Sequence, residues 1–121
     1  MSYNEFVEKS RKQDERNVFV AGGSVKGLFE KELELFYNTI NPIDVEVAMK
    51  GKYVRFYPFE QIESLQLDYH LKEGTTVFST CDSDPIFLFD GKVYGCYHSS
   101  SDDSKWEKIA DSFNDFLDLV D

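Results

Sequence analysis

Residues 84–95, DPIFLFDGKVYG, place two apolar runs on either side of Asp90-Gly91, and that dipeptide narrows what the chain can build. Asp-Gly supplies the positive backbone angles of a two-residue type I′ turn, whose twist matches that of antiparallel strands. The register follows from the turn: Phe89 opposite Lys92, Leu88 opposite Val93, Phe87 opposite Tyr94 and Ile86 opposite Gly95. Side chains alternate along a strand, so Ile86, Leu88 and Val93 share one face while Phe87, Phe89 and Tyr94 share the other. Both faces are apolar, which calls for helices over at least one of them.

The flanking sequence supplies both partners. Thr75 to Thr80 is β-branched around one phenylalanine, a strand signature leading through CDSDP into the hairpin. Ile43-Val45-Val47 and Val54-Phe56 alternate on either side of Gly51 and predict two more strands. Pro58 stops that ladder or confines it to an edge, and EQIESLQ reads as a bend or single helical turn. Ser24 is placed to cap a helix running to Ile40, whose apolar residues recur at three- and four-residue spacing until Asn41-Pro42 ends it. NVFVAGGS before it is a break centred on Gly22-Gly23. Ser2 and Glu5 form a capping box opening a short helix toward Arg16, and residues 1–23 are the least defined part. At the other end Ser104 and Glu107 form a second capping box. The stripe Trp106, Ile109, Ala110, Phe113, Phe116, Leu117 and Val120 then predicts one helix from 104 to 120.

Helix, strands, hairpin, helix, without a βαβ rhythm, predicts an α+β fold: an antiparallel sheet packed against N-terminal and C-terminal helices. With 121 residues, 41% of them hydrophobic, the chain has room for one domain, spanning 1–121, around one core.

A formal net charge of −10 argues against direct nucleic-acid binding, which draws its affinity from Lys and Arg on phosphates. The same field attracts a basic partner, although an ordinary acidic cytosolic protein has this composition too. There is no apolar run able to cross a bilayer, so no membrane role is expected. MSYNEFVEKSRKQDERN is too charged for the apolar part of a signal peptide, so the expected location is cytoplasmic and Cys81 and Cys96 are expected as reduced thiols.

Motifs that carry chemistry are sparse. AGGSVKG (21–27) puts glycines before a helix, but Lys26 precedes the last glycine and Leu28 follows it, so the phosphate-loop spacing fails. Cys96 and His98 lie two apart, with Cys81, Asp82 and Asp84 before the partner strand; a single C-x-H lacks the paired spacings of metal sites, and no metal is expected. In the hairpin register residue 85 faces Cys96, leaving Cys81 roughly 13 Å along the strand. A disulfide needs Cα atoms within about 7 Å, unless the chain folds back at CDSDP. There is no G-x-S-x-G, and the histidines His70 and His98 sit in polar segments, so no residue set supports catalysis, and an enzyme stays open only if Cys81, Cys96 and His98 converge on a metal.

Acidic residues are concentrated near the end of the sequence. Residues 102–121 hold seven carboxylates against Lys105 and Lys108, a net −5. At about 100° per residue, Asp111, Asp115 and Asp118 share one face of the predicted last helix. Together with Asp82, Asp84, Asp102 and Asp103 they define a candidate docking surface for a basic partner; the alternative is a solvated helix face.

Four pieces in order resemble the SUKH superfamily, a group of bacterial toxin-immunity domains that includes yeast cell-wall regulators. LFEKELELFYNTINP (28–42) looks like its L-P-x-x-(Y/L)-x-x-F-Y-x-x-x-N-G helix, and YVRFYPFEQIESL (53–65) like its i-x-i-Y-x-l-E strand and bend. DPIFLFDGKVYG is similar to its D-x-x-x-(F/Y)-D-x-G-x-V-Y hairpin, and IADSFNDFLDLV (109–120) to its closing I-A-x-S-F-x-x-F-L helix. Phe29 stands where the pattern has proline, Pro42 where it has glycine, and Ser83 where a glycine commonly precedes the aspartate. The resemblance implies an α+β domain without cofactor or catalysis that binds and neutralises a protein toxin, often a nuclease. A regulatory scaffold of the same fold is the alternative.

Overall fold

Three two-residue turns with both residues in the left-handed region organise the sheet: Lys50-Gly51 (φ 49° and 79°), Asp82-Ser83 (51° and 69°) and Asp90-Gly91 (52° and 77°). The structure, a computed structural model, describes residues 1–27, 30–97 and 102–121. Within them seven strands lie side by side in chain order: β1 (Val18–Ala21), β2 (Ile40–Met49), β3 (Lys52–Phe56), β4 (Thr76–Cys81), β5 (Asp84–Phe89), β6 (Lys92–Gly95) and β7 (Glu107–Ala110). Every neighbouring pair is antiparallel. Four α-helices accompany them among the described residues: α1 (Tyr3–Gln13), α2 (Lys31–Thr39), α3 (Phe59–Leu67) and α4 (Phe113–Leu117). The fold is α+β, and the β5–β6 register is the one the Asp90-Gly91 turn predicts.

An aromatic core joins α1, α2 and α4 to the sheet. Phe56 on β3 lies 5.2 Å, centroid to centroid, from Phe6 of α1 and 6.0 Å from Phe116 of α4. Phe113 of α4 lies 5.1 Å from Phe36 of α2 and 5.2 Å from Phe78 of β4. All of these rings are buried. Burying each contributes about 2–3 kcal/mol, which is how short helices such as α4 hold their place. The opposite face of the β5–β6 hairpin is covered by Trp106, with Phe87 at 4.7 Å, Phe89 at 5.4 Å and Tyr94 at 5.6 Å.

Side-chain amides complete the sheet where strands lack a neighbour. β1 pairs only with the first half of β2. Along the second half, Asn17 donates to the Glu46 carbonyl (3.1 Å) and accepts from its N–H (3.0 Å), while Gln13 does the same at Ala48 (3.1 and 2.7 Å). Gln66 of α3 pairs with Val77 on β4 in the same way, at 2.7 and 2.8 Å. Each amide mimics a peptide group, so strand donors and acceptors stay satisfied without another strand.

Several sequence expectations need correction. The single helix predicted from 104 to 120 does not form. Residues 103–105 make a 3₁₀ turn capped by Asp102, Glu107–Ala110 is strand β7, and only Phe113–Leu117 is helical, capped by Ser112. The outer edge of β6 offers backbone partners to 107–110, with Gly95 opposite Glu107 and Val93 opposite Ala110, and that ladder outweighs local helix preference. The helix predicted from Ser24 begins at Lys31, with Glu30 at its cap position. Ser24 lies in a loop that Val25 pins to α2 by donating its N–H to Asn38 Oδ1. Leu28 and Phe29, expected on that helix, lie outside the described residues. VFVA, read as part of a break, is strand β1; EQIESLQ belongs to a nine-residue helix, α3; and α1 stops at Gln13, short of Arg16.

Candidate functional site

Of the seven predicted docking carboxylates, Asp111, Asp115 and Asp118 do not share a helix face. Asp111 precedes α4 instead of lying on it, and its carboxylate accepts from Lys108 Nζ at 2.7 Å. Asp115 occupies the first turn of α4 and Asp118 follows its end, 3.3 Å from the Met1 amino group. The shared helical face expected for Asp111, Asp115 and Asp118 therefore does not exist, because the helix that would align them is interrupted by β7. Asp103 is 2.6 Å from Lys72 Nζ, and that ammonium also stands 4.5 Å from the ring centre of Phe89. Asp102 accepts from Ser104 through both its N–H (3.1 Å) and its hydroxyl (2.7 Å). These hydrogen bonds hold the Asp102 carboxyl below the usual carboxylate range, as the bond from Lys108 does for Asp111.

Asp82 and Asp84 border a groove that Lys108, the partner of Asp111, also lines. The β4–β5 turn that carries them closes one side of an open groove of about 400 Å³. Val54, Ile86, Ile109, Phe116 and Leu119 provide its apolar lining, and Cys81 and Cys96 also line it. Lys50, Lys52, Lys105 and Lys108 contribute ammonium groups beside Asp82, Asp84 and Glu107, so both signs of charge surround an apolar floor. Tyr69 Oη braces the turn by donating to the Ser83 carbonyl at 2.8 Å. The chain does fold back at CDSDP, as a two-residue turn pairing Cys81 with Asp84, and this brings both cysteines to one groove with neither in a disulfide. Burial pushes the Cys81 thiol up, Asp82 adds to the rise and Lys52 opposes it. The thiol stays protonated near neutral pH, which suits packing better than nucleophilic attack.

Lys50, Lys52 and Glu107 gave no signal in the sequence as groove residues, because the β2–β3 turn and the edge of β7 are far from the β4–β5 turn along the chain. His98, considered with Cys81 and Cys96 as a metal ligand, lies outside the described residues. Among the described residues no three His, Cys, Asp or Glu side chains gather as a metal site, and no helix is long and apolar enough to cross a membrane. No family model matches the chain, and neither does any curated protein or solved structure.

Proposed function

We propose that this chain is a binding module for a basic protein and that, as the resemblance to the SUKH superfamily implies, it neutralises a bacterial protein toxin by non-covalent contact. The observation that carries the reading is the excess of carboxylate displayed on the surface. The net charge is −10, and Asp82, Asp102 and Asp115 are all exposed. Six carboxylates are in ion pairs with partners among the described residues, and those pairs lie at scattered points of the surface. A nuclease toxin presents basic residues to bind phosphate, and an acidic inhibitor meets that surface with complementary potential and a fast, salt-sensitive encounter.

The test is capture from the native lysate at low and at moderate salt, followed by co-production of the captured protein with and without this chain in a growth assay. A basic protein that is released by salt, arrests growth alone and fails to do so alongside the chain is the expected result. The variant Asp82→Asn/Asp102→Asn/Asp115→Asn should capture less of it while melting like the wild type. A captured protein equally toxic in both cultures, or capture indifferent to salt, would overturn the reading.

A further inference from the structure

The two edges of the sheet are built differently. The outer strand β7 carries Glu107 and Lys108, charges of the kind that keep an edge from pairing with other chains. Gln13, Asn17 and Gln66 close open positions on β2 and β4. At the opposite edge β1 reads Val-Phe-Val-Ala, with no charge, no proline and no amide plug. Val18 and Val20 are 45% and 46% exposed, and Ile43 beside them is 42% exposed. Only Phe19 turns inward, against Phe6 at 6.0 Å. A row of backbone donors and acceptors flanked by exposed β-branched side chains is the template onto which an extended segment adds by main-chain pairing.

The surroundings of β1 select the charge of that segment. Beyond its end opens a recess of about 310 Å³, bordered by Val20, Gly23, Tyr37, Asn41, Phe59 and Glu60. Glu60 is exposed, and its carboxylate oxygens accept from Asn41 Nδ2 at 2.8 and 3.1 Å. No Lys or Arg among the described residues forms an ion pair with it. Phe59 and Tyr37 stand beside it, 6.0 Å apart. Tyr37 is buried, so the ring open to a ligand is Phe59, and a carboxylate without a cation beside it suits a lysine or arginine whose stem packs on that ring while its head reaches the acid. Opposite Val18 stands Asp44, already paired with Arg55 at 3.1 Å, so the carboxylate that selects the segment's charge is Glu60. A second copy of a chain of net charge −10 would bring more negative charge to this edge, and a basic segment would relieve it.

We propose that β1 accepts an extended basic segment of the partner as an added strand, with one lysine or arginine seated in the recess against Glu60. The inference takes the partner's basic character from the binding reading above, and adds where and how it docks.

The probe is a fluorescently labelled heptapeptide of alternating valine and lysine, compared with its valine–glutamate counterpart and with a version N-methylated on alternate amides. Binding is read by anisotropy at low salt, and hydrogen exchange reads the amides of residues 18–21. The lysine peptide should bind and protect those amides, and the glutamate and N-methylated peptides should bind at least about tenfold more weakly. Glu60→Gln, which keeps an acceptor for Asn41, should weaken the lysine peptide about tenfold, and Val20→Lys should abolish pairing. Thermal melts matching the wild type establish that both variants fold. Absence of binding, or binding indifferent to N-methylation and to both variants, overturns the proposal. So does a wild-type dimer in sedimentation that Val20→Lys dissolves, since the occupant is then a second copy. If the peptide fails while a toxin is still captured and neutralised, only this inference falls. If the peptide binds as stated and no toxin is found, only the immunity reading falls.

Discussion

Replacing Asn17 by alanine tests whether amide side chains stand in for a missing strand. Asn17 is 5% exposed and makes three hydrogen bonds: Nδ2 to the Ser10 carbonyl at 2.9 Å, Nδ2 to the Glu46 carbonyl at 3.1 Å, and Oδ1 from the Glu46 N–H at 3.0 Å. At about 1 kcal/mol net for each, Asn17→Ala should cost about 3 kcal/mol, since it leaves both Glu46 groups without their partner. That is a large share of the 5–15 kcal/mol typical of a domain. With a urea m-value of about 2 kcal/mol/M, the denaturation midpoint should fall by about 1.5 M at unchanged slope, and the Glu46 amide should lose exchange protection. Asn17→Asp keeps an acceptor for the Glu46 N–H but points a carboxylate at two carbonyls. Its folded-state pKa is therefore raised, so the variant should be least stable at neutral pH and recover as pH falls through that value. A loss below about 0.5 kcal/mol for Asn17→Ala, or wild-type stability for the near-isosteric Asn17→Leu, would refute the reasoning by making Asn17 a space-filler.

Gly22→Ala should destabilise by about 2 kcal/mol or more, because the added Cβ would lie 2.4 Å from the Asn38 carbonyl carbon and the Tyr37 oxygen, both backbone. Gly23→Ala, with nothing within 4 Å of the new atom, should melt like the wild type, and paired thermal scans check both. The Asp14 carboxyl, hydrogen-bonded by Arg16, is lowered from 3.8 to about 2. A group depressed on folding contributes stability above its unfolded value and loses it as pH falls, here between about pH 4 and 2; a carboxyl titration by NMR should find that midpoint, and Arg16→Ala should return it toward 3.8. Cys81 should react slowly with iodoacetamide at pH 7, faster as pH rises, and faster at pH 8 in Asp82→Asn, because removing that carboxylate lowers the thiol pKa. Mass spectrometry should find Cys96, 6% exposed, modified later than Cys81.

What the sequence disclosed and what it hid divide along one physical line. Asp90-Gly91, the alternation in 43–56 and the run 75–80 were legible because strand turns and strand periodicity are local properties. The stretch 104–120 misled because Trp106, Ile109 and Ala110 happen to continue the three- and four-residue spacing of Phe113, Phe116 and Leu117. Two structures share that spacing, and the choice lies in β6, which no window over 104–120 contains. A better signal was present: Ser112 followed three residues later by Asp115, the pair that starts α4. The acidic surface inherited the same error, since aligning Asp111 with Asp115 and Asp118 required an unbroken helix. Asp82 was placed correctly in a loop before β5, whereas Asp84 is the first residue of β5 itself, and that the loop is a two-residue turn at the mouth of a groove depends on Asp82 and Ser83 both accepting left-handed angles. β1 was missed because four residues beside two glycines look like punctuation. Glu60 gave no local signal, because what surrounds it comes from β1, α2 and β2.

The strand order has a kinetic consequence. Because β1 to β7 lie in the sheet as they occur in the chain, every ladder joins strands that are consecutive in the sequence, three of them across only two residues. Closing short loops sacrifices little chain entropy, and sheets made of local pairings fold faster than those that join distant segments. A chain emerging from the ribosome can add each strand to the one just completed, without waiting for a later segment to thread between earlier ones. α4 then sets Phe113 and Phe116 against Phe36, Phe78 and Phe56, rings supplied by elements earlier in the chain.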